Sequence, residues 1–223
     1  MPDPRSAGGS GPRTLAGILD AAARGSFPAP DGGVTVVPQP SHRDAGVIAF
    51  TAHSVVFTDE DPDWVRGALA SLDCDRLAAA MNPRFLAAFL ARTGRAMDCV
   101  DLLTVAGSLP GGPPLELREL ADPDHPRVRR AREHRDDVRV WAADGGVVVL
   151  GRGVAGRWET AVEVDEDVRH RGLGRALATA ARHLIPAGQW LWAQQSPGNA
   201  RSVRAFQAAG YRPVGAEALL TAP

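Results

Sequence analysis

Residues 157 to 184 pass from an alternating strand, "RWETAVEVD", through a charged turn into "RGLGRALATAARHL", which has the composition of a helix. A strand that feeds a helix through so short a turn must bury one face of each element, which restricts the chain to a layered α/β or α+β architecture. The turn itself sets Gly172 and Gly174 among Arg169, His170, Arg171 and Arg175. A helix begins with backbone N–H groups that have no partner inside it and with a partial positive charge. Glycines allow a ligand to approach that backbone and permit positive φ. Such a doorway suits an anion, with phosphate or pyrophosphate the natural guest. The GxGxxG dinucleotide fingerprint is absent and no GKS or GKT follows, so neither a Rossmann turn nor a P-loop fits.

The remainder of the chain supports the layered reading. Strand patterns fall at "VTVV", "GVIAFTAHSVVFT", "CVDLLTVAG", "LELREL", "VRVWAA", "GVVVLGRG", "QWLWAQ" and "YRPVG". Helices are expected near residues 15–22, after Asp61-Pro62, after Asn82-Pro83 up to Gly94, over 125–135, from Leu173 to about Leu184, and from Asn199 to about Ala209. "SLPGGPP" at 108–114 is the strongest break. The expected division is therefore a tail with a short helix over 1–30, an α/β region over 31–110 and a second α/β unit over 115–223.

With 223 residues, 44% hydrophobic and 23% charged, the chain has the composition of a soluble globular protein. A formal net charge of -1 argues against a protein whose main task is coating nucleic acid. Every basic residue apart from histidine is Arg, which with the abundance of Ala, Gly, Pro and Val reads as genomic base composition. Cys74 and Cys99 form no CxxC and lie near no His/Cys cluster, so no metal and reduced thiols are expected. The first residues lack a secretory pattern and no run has transmembrane length, which points to a cytoplasmic protein with no membrane partner.

The order strand, acidic turn, Arg-x-x-Gly-x-Gly, helix resembles the acyl-coenzyme A binding motif of the GNAT superfamily of N-acyltransferases. "VEVDEDVRHRGLGRAL" carries it, with Arg169, Gly172 and Gly174 on the characteristic positions. "PGNARSVRAFQAAGYRPVG" resembles the second central motif through Asn199, Gly210 and Tyr211, and the Asn-x-x-Ser spacing of Asn199 and Ser202 is similar to the branch with glycine N-acyltransferase-like domains. The resemblance covers residues 157 to 216. It implies a GNAT fold: a twisted mixed sheet flanked by helices, with a V-shaped splay, opened by a bulge, between the strands ending near Val164 and Gln194. Pantetheine would lie along the backbone of Val162 to Val164. The amides of Arg171, Gly172, Leu173, Gly174, Arg175 and Ala176 would hold the pyrophosphate beside Arg169 and His170, and Asn199 would reach the pantetheine arm. The implied activity is acetyl transfer from acetyl-CoA, or another acyl-CoA, to a primary amine of a small-molecule or peptide acceptor, with no metal.

Period two places Glu159, Ala161, Glu163 and Asp165 on one strand face. By the resemblance Glu159 is the first candidate for general base and Glu163 the second; both also read as solvated or salt-bridged strand residues. The resemblance puts a proton-donating Tyr where this chain has Phe206, which leaves Ser196 and Ser202 as hydroxyls near the thiol, or a non-catalytic acyl-coenzyme A-binding module as the rival. In "HPRVRRAREHR", Arg129, Arg132 and Arg135 form either a surface for an acidic acceptor or nucleotide phosphate, or a solvated face paired with Glu133, Asp136 and Asp137. The segment after Gly210 is too short for a closing hairpin. Strands from the N-terminal half, a degenerate second copy of the fold, or a second subunit in a homodimer would then complete the sheet edge.

Overall fold

A computed structural model describes residues 14–121 and 124–222. Of the expected tail with a short helix over 1–30, residues 1–13 lie outside the described residues. Helix α1 (Leu15–Ala23) starts where Thr14 Oγ1 accepts from Gly17 N, and it is followed by β1 (Val34–Val37), β2 (Asp44–Phe50) and β3 (His53–Phe57). Asp61 and Asn82 accept from the N–H two residues on, each with Pro in the first turn, and open α2 (Pro62–Ala70) and α4 (Pro83–Thr93). Gly94, at φ 65°, ends α4 in the left-handed conformation that glycine adopts at no steric cost. Between these two helices lies the one-turn α3 (Arg76–Ala79), which carries too few residues for helical periodicity to register.

Strand β4 (Val100–Gly107) precedes the 108–114 loop. Beyond it come β5 (Arg118–Leu120), α5 (Pro126–His134), β6 (Asp136–Ala143), β7 (Gly146–Arg152), β8 (Trp158–Val164), α6 (Leu173–Ala181), β9 (Trp190–Gln195), α7 (Ala200–Ala208) and β10 (Arg212–Thr221). All ten strands form one sheet in the order β1-β3-β2-β10-β4-β9-β8-β7-β6-β5. The sheet is mixed, with β1–β3 and β8–β9 parallel and the other neighbours antiparallel. This is the expected class, a mixed sheet flanked by helices.

Alternation along the strands sorts the core into two layers. On one face, α1 packs its Leu15, Ile18 and Leu19 against Ile48, Leu103, Val105 and Trp192, while α5 packs Val128 and Ala131 against Val140 and Val149. On the other face, α4 covers the N-terminal strands through Phe85 and Phe89, and α6 and α7 cover Val148, Leu150, Leu191 and Ala193 through Leu177 and Phe206. Apolar side chains fully removed from water on both faces contribute about 1.5–3 kcal/mol each, so neither layer is dispensable.

The last strand departs from the expected short "YRPVG". It runs ten residues and lies between β2 and β4, pairing Glu217 with Ile48 on one side and Asp101 on the other. Strands of the N-terminal half thus complete the sheet within a single chain. The 108–114 loop separates β4 from β5, yet β4 sits between β10 and β9, so the sheet is shared by the segments on either side of that loop. A Cβ at Gly215 would collide with the carbonyl oxygen of Ala49 on β2. Gly215→Ala should therefore cost about 1–3 kcal/mol by forcing β10 off β2, measured as a lowered denaturant midpoint; unchanged stability would show that this close approach does not hold the two halves together.

Candidate active site

Strands β8 and β9 pair only at Trp158–Leu191 and Glu159–Trp192. Beyond that point β8 continues along β7 to Val164, and β9 continues along β4 to Gln195, so the two strands diverge. The register of β8 on β7 is unbroken from Trp158 to Val164. The expected splay is present, but no bulge opens β8; it opens because pairing to β9 stops.

The hydrogen-bond phase of the β7–β8 ladder decides what faces the opening. Gly153 N donates to Arg157 O and Asp165 N donates to Gly145 O, both at 2.9 Å. Bonded pairs recur every second residue in an antiparallel ladder, so Ala161 and Glu163 direct their backbone groups to β7. Thr160, Val162 and Val164 direct theirs into the splay, where Val164 O accepts from Arg169 Nε at 3.2 Å. The open edge can receive an extended chain carrying amides of its own.

At the end of that edge the chain turns through Glu166–Val168 and enters α6. His170 (φ 68°) and Gly172 (φ 85°) are both left-handed, and Gly172 caps α6 without any side-chain hydrogen bond. A Cβ at Gly172 would meet nothing within 4 Å, so conformation and not crowding calls for glycine there. Ala176 N donates to Gly172 O, so the amides open to a ligand end at Arg175 and the expected contribution of Ala176 falls away. A cavity of about 650 Å³ lies over this N-terminus, bringing together Val162, Glu163, Val164, Arg169, His170, Gly172, Leu173, Gly174, Arg175, Asn199 and Ser202; Arg171 and Ala176 do not line it. Its wall also holds Arg127, Arg201 and Arg204, which the sequence reading did not single out, and its one carboxylate, Glu163, is 3.0 Å from Arg127 Nε. The cavity is therefore strongly electropositive.

A second cavity, of about 580 Å³, shares Arg127, Val162, Asn199, Ser202 and Phe206 with the first and reaches through the splay to the α5 side of the sheet. Asn199 Oδ1 accepts from Ser202 N at 3.1 Å, which starts α7 and fixes both residues at the junction. Phe206 is buried edge-on to Tyr211, with ring centroids 4.9 Å apart. The Tyr211 hydroxyl donates to Ala178 O, and burial pushes it well above the ordinary phenol range, so Tyr211 is a core residue and presents no acid to either cavity.

The second cavity is floored by charge. Glu159, 3% exposed, accepts from Arg157 Nε at 2.8 Å and from Val154 N at 3.2 Å on Oε1, and from Arg135 Nε at 2.9 Å on Oε2. Burial alone would raise its pKa, but the two guanidiniums outweigh that and hold it at about 2. A carboxylate so fully engaged makes a poor proton acceptor near neutrality, which weighs against Glu159 as a base and gives it a structural anchor role. Glu163, the second candidate, is 37% exposed at its side chain and spent on Arg127.

Arg157 continues the network across the sheet. Its Nη2 donates to Glu217 Oε2 at 2.8 Å, and Gln194 Nε2 donates to the same oxygen at 3.1 Å. Glu217 Oε1 is buried without a partner, and burial raises the Glu217 pKa against the pull of Arg157. Glu217 lies on the stretch that the sequence reading ended at Gly215; its signature is one carboxylate in the otherwise apolar run "AEALLT". Arg135, the residue that ends α5, joins this network, while on the helix Arg129 pairs with Asp124 and Arg130 with Asp98. The basic helix is thus divided between surface pairs and the cavity floor.

A family model described as "FR47-like protein" matches residues 160–219, a stretch that begins within β8, takes in the turn into α6, α6, β9 and α7, and ends within β10. No match was found among curated proteins. Solved structures with similarity include a GCN5-related N-acetyltransferase from Kribbella flavida, with 18% identity over 94% of both chains and a TM-score of 0.45. A tandem GNAT protein from the clavulanic acid biosynthesis pathway shares 16% identity over 61% of this chain and 57% of its own, with a TM-score of 0.38. A GCN5-related N-acetyltransferase from Sphaerobacter thermophilus shares 13% over 61% and 55%, with a TM-score of 0.36.

The ion network has a measurable sign. Glu159 has its pKa lowered from 4.5 to about 2 on folding, so the stability it contributes is present above pH 4.5 and is lost as pH falls toward 2. Glu217 acts oppositely, its contribution fading as pH rises through its raised pKa. Glu159→Gln leaves two buried guanidiniums short of a counter-charge and should cost about 3–5 kcal/mol at pH 7, while flattening the loss of thermal stability between pH 4.5 and 2. A variant as stable as the parent at pH 7 would show that the network does not secure the floor.

Proposed function

We propose that this chain is an acyl-coenzyme A-dependent N-acyltransferase of the GNAT type, transferring an acetyl or related acyl group directly to a primary amine. The observation that carries the reading is the unpaired β8 edge leading straight onto the uncapped N-terminus of α6. Both ends suit coenzyme A: the amides of a pantetheine arm match the N–H and C=O groups of Val162 and the N–H of Val164, and a pyrophosphate matches the amides from Gly172 to Arg175 and the surrounding Arg side chains. The family-model match falls on the same segment and supports the superfamily resemblance.

In this arrangement Arg169, His170, Arg175, Arg201 and Arg204 face the anionic part of the donor, and Asn199 stands at the junction between donor and acceptor cavities. Bound acyl-coenzyme A supplies a thioester carbonyl open to attack. Gln195, whose buried Nε2 has no partner, lines the acceptor cavity and can donate to a carbonyl oxygen there. Phe206 closes the junction with an apolar ring and excludes water without moving a proton. The acceptor enters from the α5 side, through the splay.

Titration calorimetry with coenzyme A tests the donor site. Gly172→Asp places a carboxylate at the doorway and forces a side chain into φ 85°, so affinity should fall by at least a hundredfold, whereas Gly172→Ala, which adds strain without charge, should lose far less. Equal affinity in the Asp variant would overturn the doorway assignment. Mass spectrometry of a primary-amine panel with acetyl-coenzyme A then separates transfer from mere binding.

A further inference from the structure

We infer that the acceptor cavity receives its amine as an ammonium ion on Glu217 Oε1, with Asp101 beside it, and that Glu217 takes the proton that frees the nitrogen. This rests on the transferase reading and assigns it a proton acceptor. Glu217 and Asp101 are directly paired across β10 and β4, so their side chains leave the same face of the sheet, and both line the second cavity. Glu217 is 2% exposed, and its Oε1 has no hydrogen-bond donor. A buried carboxylate oxygen without a donor is costly unless something supplies one.

The cations in the cavity do not supply it. Arg135 and Arg157 are held by Glu159, and Arg157 reaches only Oε2 of Glu217. Arg130 is paired with Asp98, and Arg127 with Glu163. Asp101 accepts from the Cys99 thiol at 3.1 Å, and burial raises its pKa as it does that of Glu217. His134, at the end of α5, also lines the cavity, but burial and Arg130 lower its pKa and disfavour its charged form. Two carboxyls therefore face the cavity short of positive charge. An alkylammonium carries three donors and one charge, which matches the deficit.

The proton step balances simply. An N–H bond of the ammonium breaks, an O–H bond forms at Glu217 Oε1, and the nitrogen keeps the electron pair it needs for attack. A carboxylate whose pKa lies above the ordinary range is better suited to this step than one held at about 2 by two guanidiniums. Glu159 then serves as a positioning residue, fixing Arg157, which in turn orients Glu217.

Carboxyl-carbon NMR of the full chain labelled at the Glu side-chain carboxyl gives a readout that does not depend on turnover. The Glu217 resonance, assigned by its loss in Glu217→Gln or in Glu217→Asp should the former fail to fold, should titrate above the ordinary Glu range. Added n-butylamine, charged over this range, should pull that midpoint down saturably, while neutral 1-butanol should not. Asp101→Asn should weaken the n-butylamine effect about tenfold, the loss expected for one charge-assisted hydrogen bond. A Glu217 midpoint in the ordinary range, or one that n-butylamine leaves unmoved, overturns the inference. If coenzyme A still binds in calorimetry, the transferase reading survives that failure; if coenzyme A does not bind, the transferase reading falls whatever Glu217 does.

Discussion

The site depends on one constraint: Arg157, a charge buried in the middle of a sheet, must have its counter-charges within reach. Its guanidinium bridges Glu159 on β8 and Glu217 on β10 and lies 5.2 Å from the Trp192 ring centroid on β9. Separating a buried cation from its partners is far more costly than breaking a surface pair, so the strands that carry these groups are held in register at this point. The last β8–β9 pair, Glu159 with Trp192, coincides with the network. The splay begins where the charges tie the strands together, and the rigidity of the apex allows the open arms to keep their shape.

From that apex the two cavities acquire opposite characters. Toward α6 the wall is built of uncapped amides and arginines, with a single paired carboxylate, and it favours a polyanion. Toward α5 the floor carries the carboxyls of Glu159, Glu217 and Asp101, and Glu217 Oε1 is buried there without a hydrogen-bond partner. An anionic donor and a cationic acceptor would thus approach from opposite faces of the sheet and meet at Val162, Asn199 and Phe206. The electrostatic difference would separate two such ligands without a moving part.

Much of this was legible in the chain itself. The helix starts at Asp61-Pro62 and Asn82-Pro83 and the stop at Gly94 are local chemistry, and they fall where the residues indicated. The doorway at Gly172 and the cap at Asn199 depend on a few adjacent residues and were equally readable. Less was legible wherever neighbours come from afar. Period two placed Glu159 and Glu163 on one face, but it could not show that Arg135 and Arg157 converge on the first while Arg127 holds the second. The length of β10 was missed because Gly215 reads as a stop, whereas the close approach of β2 calls for glycine within a continuing strand.

The sequence by itself determined the layered α/β class, most element boundaries and the glycine turn that opens α6, because capping, periodicity and glycine conformation act over a few residues. Only the tertiary structure decided that strands from both halves merge into one sheet, that β8 parts from β9 without a bulge, and that Glu159 is spent while Glu217 is left with an unpaired oxygen. Those outcomes depend on burial and on which charges meet across strands distant in sequence. Desolvation and Coulomb attraction are set by position in space, and no local pattern of residues encodes them.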